Sequence, residues 1–301
     1  FISADNEKSV IQNGHILSMG NAASQISSIA ATNDLTSGLQ FIHNTNNLSR
    51  LMNDENEFKL YLDTLHSIKN KLSSDPTYLF TASSLDINEL KLNTIFKPES
   101  INFNNQSFVA TQDSSIGWIT GSQVCFCAEA FPSVDSKHED APALTILGTV
   151  LRNGYLHSAI REKGGAYGSG AAQDSNNKVF KFFSYRDPKC SETFEEFQKS
   201  RDWSLKQISA EQLEEGILGV ISSIDKPLSP YGEAMSDFMS ELDNKTQDER
   251  LLFRSRVKEC TLSDLVRVSE KYLFNDSKKS VIAGENFIKE LTDLGFAIKN
   301  I

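Results

Sequence analysis

The chain contains neither H-x-x-E-H nor H-E-x-x-H, the spacings by which one helix face offers two histidines and a glutamate to zinc. Its histidines, His15, His43, His66, His138 and His157, never stand three or four apart, so no helix face carries two of them. His138-Glu139-Asp140 gathers three possible ligands. Adjacent loop residues seldom converge on one ion, however, and turn formation and helix capping account for them. Cysteine is also scarce, with only Cys125, Cys127, Cys190 and Cys260 and no C-x-x-C pair. Cys125 and Cys127 alternate with Val124 and Phe126 on one face of a strand, where parallel Cβ vectors disfavour a disulfide. All four read as reduced packing cysteines of a reducing compartment.

Other absences narrow the function. No apolar run approaches the ~20 residues that span a bilayer, and no segment has the order of a secretory signal. The chain opens on Phe1 and not on methionine, the expectation for a processed product or a segment of a longer polypeptide. There is no block of basic residues, and the net charge is −10. A phosphate backbone needs a basic face, so nucleic acid is excluded. An acidic balance attracts basic partners such as Arg/Lys-rich peptides, or only keeps the protein soluble. No G-x-S-x-G elbow occurs, and Gly168-Ser169-Gly170 lacks the strand-turn-helix setting of a nucleophilic serine.

What is present is a soluble globular composition, 39% hydrophobic and 23% charged, over 301 residues. That length is enough for two buried cores. Residues 1–96 read as mostly helical, with helices at Ala22–Ala31, Leu35–Leu48 and Glu55–Leu72 and a strand at Tyr78–Thr81. Lys97-Pro98-Glu99-Ser100 and Asn102 to Gln106 read as a linker. Strands follow at Ser107–Thr111 and Gln123–Phe131. A long helix from Ala141 to Arg161 is capped by Asp140, with Pro142 in its first turn. Ala166–Gln173 and Lys178–Arg186 form a hairpin across Asp174-Ser175-Asn176-Asn177. Further helices occupy Ser191–Gln207, the capping boxes beginning at Ser209 and Thr246, the Ser229-Pro230 start, and Leu262–Leu273. Lys279–Ala283 is a late strand. The order predicts an α+β fold, a sheet with helices packed on one face.

The most informative stretch is Arg161-Glu162-Lys163-Gly164-Gly165-Ala166-Tyr167-Gly168-Ser169-Gly170. A helix end runs into a glycine turn that presents a tyrosine. Phosphate binding is excluded by order, because a helix precedes the glycines and its negative dipole end would face the anion. Arg161 and Tyr167 then either support a helix terminus and pack, or serve one site together.

Leu156 to Gly168, together with Ser184-Tyr185-Arg186-Asp187-Pro188 and Ser223-Ile224-Asp225-Lys226-Pro227, resembles the C-terminal half of presequence proteases. These are inverted-motif zinc metallopeptidases of the pitrilysin/insulinase superfamily. Asn13-Gly14-His15 resembles the end of the preceding domain. The resemblance implies related α+β domains in two hinged halves. Residues 1–96 would be the C-terminal part of the third domain and 97–301 the complete fourth, with zinc in the preceding half and not in this fragment. It further implies that Arg161 and Tyr167 reach the substrate across a closed chamber, and that Gly164, Gly165, Ala166 and Gly168 let peptide backbone approach. The implied partners are the N-terminal half of the same polypeptide and unfolded, presequence-like peptides, with no nucleic acid or membrane. The compartment would be mitochondrial or otherwise organellar in a eukaryote, and cytoplasmic or periplasmic in a bacterium. This fragment alone would be inactive. A non-catalytic scaffold of the same superfamily is the alternative.

Overall fold

The computed structural model describes residues 2–51, 54–72, 115–243 and 245–301. The chain divides into two compact units, one of residues 1–46, 108–225 and 251–301, the other of 47–107 and 226–250. These units cut across the division read at 96/97, because the first forty-six residues pack with the sheet. The expected strands Tyr78–Thr81 and Ser107–Thr111 and the linker between them lie outside the described residues.

The first unit is built on a mixed sheet of β1 (Ile116–Thr120), β2 (Phe126–Pro132), β3 (Gly168–Asp174), β4 (Val179–Tyr185), β5 (Lys278–Gly284) and β6 (Ala297–Asn300). Their spatial order is β3-β4-β2-β5-β1-β6. β1 runs parallel to both β5 and β6, while β2, β3 and β4 join by antiparallel ladders. β3 therefore forms one edge, registered on β4 from Gly168↔Tyr185 to Asp174↔Val179.

Side chains alternate between the two faces, as strand geometry requires. Cys125, Cys127, Phe131, Phe180, Phe182 and Val281 point into one core. Against that face pack α5 (Ala141–Leu151), α6 (Ser191–Ser204), α7 (Ala210–Ile224) and α10 (Leu262–Leu273). Trp118, Phe126 and Ile282 point the other way, onto Val10, Leu39 and Ile42. Those three belong to α1 (Ile2–Ser24) and α3 (Leu39–Leu51), so helices cover the second face of the sheet as well as the first. α2 (Ser28–Ser37) completes this layer, with Ala30 on Val179. The expected Ala22–Ala31 helix is in fact the end of α1, a break at residues 25–27, and the start of α2.

Small residues set the close approaches. Gly14 lies over the Phe126 ring, and a Cβ there would fall 2.6 Å from ring carbons. Gly148 of α5 crosses β3 so closely that a Cβ would meet the Ala171 carbonyl oxygen at 3.1 Å. α1 is also held by a buried polar network. Trp118 Nε1 and Ser280 Oγ donate to Asn21 Oδ1 at 2.9 and 2.8 Å, and Asn21 Nδ2 donates to Asp34 at 2.8 Å. Burial pushes the Asp34 carboxyl up despite these bonds.

The helices beyond the hairpin start where their caps stand. Ser209 and Gln212 form a reciprocal capping box, as do Thr261 and Asp264. Thr246 and Glu249 exchange the same two bonds at the start of α9 (Gln247–Glu259). The second unit contributes α4 (Glu55–Leu72) and α8 (Pro230–Leu242), the latter capped by Ser229 donating no proton but accepting from Gly232 N at 3.1 Å.

Asp140 occupies the N-cap position of α5 but makes no cap bond with its side chain. Its buried carboxylate instead accepts from Arg267 at 2.6 Å, Lys271 at 2.8 Å and Tyr272 at 2.7 Å, clamping α10 to the start of α5. Burial alone would raise its pKa. The Lys271, Tyr272 and Arg267 hydrogen bonds outweigh that and hold it well below the usual carboxylate range. A depressed folded pKa adds stability above the unfolded value of about 4, lost as pH falls through the folded one. Asp140→Asn is expected to cost about 2–3 kcal/mol near neutral pH, read by denaturant unfolding, and the gap to the parent should narrow below about pH 4.

Candidate functional site

α5 does not stop at Leu151 but continues as a π-helix through Arg152–Lys163, a wider winding that recurs at functional sites. Ser169 of β3 ties into it, its hydroxyl donating to the Leu156 carbonyl at 3.0 Å. Ser169 is thus buried and its hydroxyl engaged.

The π-helix ends in a wrapped turn. Ala166 N–H donates to Ile160 O at 3.1 Å, and inside that bond Gly165 N–H donates to Arg161 O at 3.1 Å. This nesting is a Schellman-type stop widened to suit the π winding. Gly165 takes φ +88°, the left-handed region that favours glycine. A Cβ on Gly164 would collide with the Ile160 carbonyl oxygen. Gly168 differs, since a Cβ there would make an ordinary 3.8 Å contact with Tyr185. Of the residues expected to let peptide approach, Gly164 and Gly165 are required by the turn itself, Ala166 is buried in the core, and Gly168 opens the edge strand.

Arg161 and Tyr167 are both exposed at this corner, Tyr167 to 68%. Arg161 Nη1 lies 3.2 Å from His157 Nε2, and His157 Nδ1 lies 3.5 Å from Glu162 Oε1. In the tautomer with its proton on Nδ1, facing Glu162, the His157 Nε2 accepts from the guanidinium. Tyr167 is fixed through its backbone, its N–H shared between the carbonyls of Tyr185 at 3.0 Å and Arg186 at 3.4 Å. Its ring stands edge-on to Tyr185 with centroids 5.6 Å apart. Tyr185 in turn packs on His15 of α1 at 4.6 Å. Burial lowers the His15 pKa, which keeps that ring neutral beneath the tyrosines. The place of Tyr185 and Arg186 beside Tyr167 depends on strand register, which local sequence pattern does not reveal.

The charge of this corner is not that of the whole chain. Arg161, Lys163, Arg186 and Lys189 are exposed around it against one exposed carboxylate of the same segments, Glu162. Asp187 is buried and spent on Thr193 at 2.7 Å and Lys189 N at 3.0 Å. Glu192 and Glu195 are exposed as well and line the adjoining cleft with Lys163 and Lys189, so the excess of positive charge is confined to segments 161–163 and 186–189. A cleft of about 610 Å³ adjoins the turn at Lys163 and Gly164. Its Glu196 is already engaged by Tyr155 at 3.0 Å and Lys199 at 2.7 Å, unlike the mostly apolar lining of a small-molecule pocket. Among the described residues no three of His, Cys, Asp and Glu come together to hold a metal ion. His138 does serve a turn, accepting from Asp140 N at 3.0 Å. Cys125, Cys127, Cys190 and Cys260 are free thiols.

The two glycine roles separate by substitution. Gly165→Ala is expected to lower stability by about 1 kcal/mol or more, while Gly168→Ala should leave the melting temperature within about a degree. Equal effects in thermal unfolding would contradict this assignment.

Residues 120–285 match the family described as the PreP C-terminal domain. The chain is 26% identical to the mitochondrial presequence protease of Eremothecium gossypii, over 93% of this chain and 30% of that protein. It is 26% identical to the Saccharomyces cerevisiae mitochondrial presequence protease over 100% of this chain and 32% of that one. The chain thus spans about a third of the length of these relatives. A solved protease from Helicobacter pylori shares the fold, with a TM-score of 0.55 at 18% identity over 66% of this chain and 53% of the other. With more than half of its residues matched and relatives that are proteases, this chain belongs to the PreP C-terminal domain family.

Proposed function

We propose that this chain is the substrate-binding part of a zinc metalloendopeptidase that degrades unfolded, presequence-like peptides in a closed chamber. The observation that carries the reading is an exposed Tyr167 and an exposed Arg161 on one backbone-fixed turn, at the open end of an edge strand. Among the described residues no group of His, Cys, Asp and Glu could hold a zinc ion, and in this reading the preceding half of the enzyme would hold it. In a eukaryote the mitochondrial relatives favour an organellar compartment. No described helix is long and apolar enough to cross a membrane.

What the chain's own residues do follows from their chemistry. Among the described residues no strand pairs with the outer edge of β3, so an extended peptide can add to it as a further strand. The side chains from Gly168 to Ala172 are small, which favours close approach of a peptide backbone. The Tyr167 phenol and the Arg161 guanidinium then donate to peptide carbonyl oxygens. As the attacked carbonyl becomes tetrahedral its oxygen gains charge, and donors already held in place stabilise it more than they stabilise the ground state. His157 and the Gly164-Gly165 stop provide that pre-positioning, and the Tyr185 ring supports the phenol.

In the natural protein, Tyr167→Phe is expected to lower kcat by about 10²–10³, corresponding to about 2.7–4 kcal/mol, with a smaller change in peptide Kd. Unchanged turnover would reduce the tyrosine to packing. This chain by itself, with zinc added, should cleave no peptide. Cleavage that survives purification and is abolished by substitutions within this chain would overturn the reading.

A further inference from the structure

Arg186 occupies a place that backbone geometry reserves for glycine. β2 and β4 are in register at Ala128↔Phe183, and the next pairing beyond the strand end is Cys125↔Asp187. The chain therefore advances three residues on one side (128 to 125) and four on the other (183 to 187). The extra residue is a β-bulge, a device that re-aims side chains next to active sites. Arg186 sits within it at φ +48°. The other described non-glycine residue at positive φ, Lys178 at +55°, lies at the end of the hairpin turn, where chain reversal accounts for it. At Arg186 the chain does not reverse, and a glycine would take the conformation without strain.

The strained residue is placed at the site described above. Its carbonyl shares the Tyr167 N–H, and its guanidinium carbon stands 5.4 Å from the centre of the Tyr185 ring, the ring against which Tyr167 rests. Arg186 is exposed, and among the described residues no carboxylate pairs with it. The adjacent Asp187 points inward to Thr193 instead. A long, exposed cation is thus held in an unfavourable backbone conformation and supported by an aromatic face.

Resting on the peptide-binding reading of Arg161 and Tyr167, we propose that Arg186 is a specificity residue that binds a carboxylate of the same peptide. A planar guanidinium presents two parallel N–H donors that match a carboxylate. The carboxylate is either an acidic side chain or the C-terminus of the peptide, and Arg186 discriminates it from the uncharged amide.

The test uses the natural protein and fluorescein-labelled peptides in matched pairs, C-terminal acid against C-terminal amide, and Asp or Glu against Asn or Gln. Arg186→Gly should raise the melting temperature by relieving the left-handed strain, yet weaken binding of the carboxylate peptide at least about tenfold. Collapse of the acid-over-amide preference alone assigns the C-terminus; collapse of the Asp/Glu preference alone assigns a side chain. Arg186→Gln, which removes the charge without adding chain flexibility, should show the same loss of preference. If Arg186→Gly and Arg186→Gln keep both preferences while Tyr167→Phe and Arg161→Gln impair the enzyme, this inference fails and the site stands. If none of the four substitutions changes peptide binding or turnover, the peptide-binding reading falls with it.

Discussion

The carbonyl oxygen of Ile160 governs the geometry of this site. It accepts the Ala166 N–H and leaves no space for a Cβ on Gly164, so the π-helix must stop there and the chain must turn through Gly165 at φ +88°. That turn delivers Tyr167 to the end of β4, where two carbonyls share its N–H. A side chain at residue 164 would displace the wrap and carry Arg161 and Tyr167 apart. The placement of two exposed groups thus depends on backbone contacts that are themselves shielded.

Both layers of the fold support that turn. On one side Ser169 fastens β3 to the π-helix, and Gly148 lets α5 lie close on the same strand. On the other side α1 brings His15 beneath Tyr185, and the Asn21–Trp118–Asp34 network holds α1 on the sheet. The covered second face therefore has a functional consequence. Residues that read as part of a separate helical region form the floor under Tyr185, the ring on which Tyr167 rests. Rigid elements on both sides keep the donors in place before any ligand arrives.

The legible parts were those written in local pattern. The helix running into glycines placed Arg161 and Tyr167 at one corner, the turn tetrad identified the β3–β4 hairpin, and the cap residues marked α7 and α9. The alternation of Cys125 and Cys127 correctly placed both on one core face. α1 escaped notice because it packs through Gly14, Ala22 and Ala23 and buried polar groups such as Ser18 and Asn21, not through a clear apolar stripe. β1 and β6 are short strands whose pairing is parallel and distant in sequence, so no neighbouring turn announces them. Asp140 has the chemistry of a cap, but Arg267, Lys271 and Tyr272, far along the chain, draw its carboxylate elsewhere. The bulge at Arg186 exists only in the register between β2 and β4, and a single strand cannot display it.

The central claim is that peptide lies along the outer edge of β3, beside Tyr167. Amide hydrogen exchange of the natural protein, with and without an uncleaved presequence-like peptide, tests it most directly. The account predicts slowed exchange at outward-facing amides between Gly168 and Asp174, with little change in the paired strand β4. Protection confined to other surfaces, with the β3 edge exchanging as in the free protein, would contradict it.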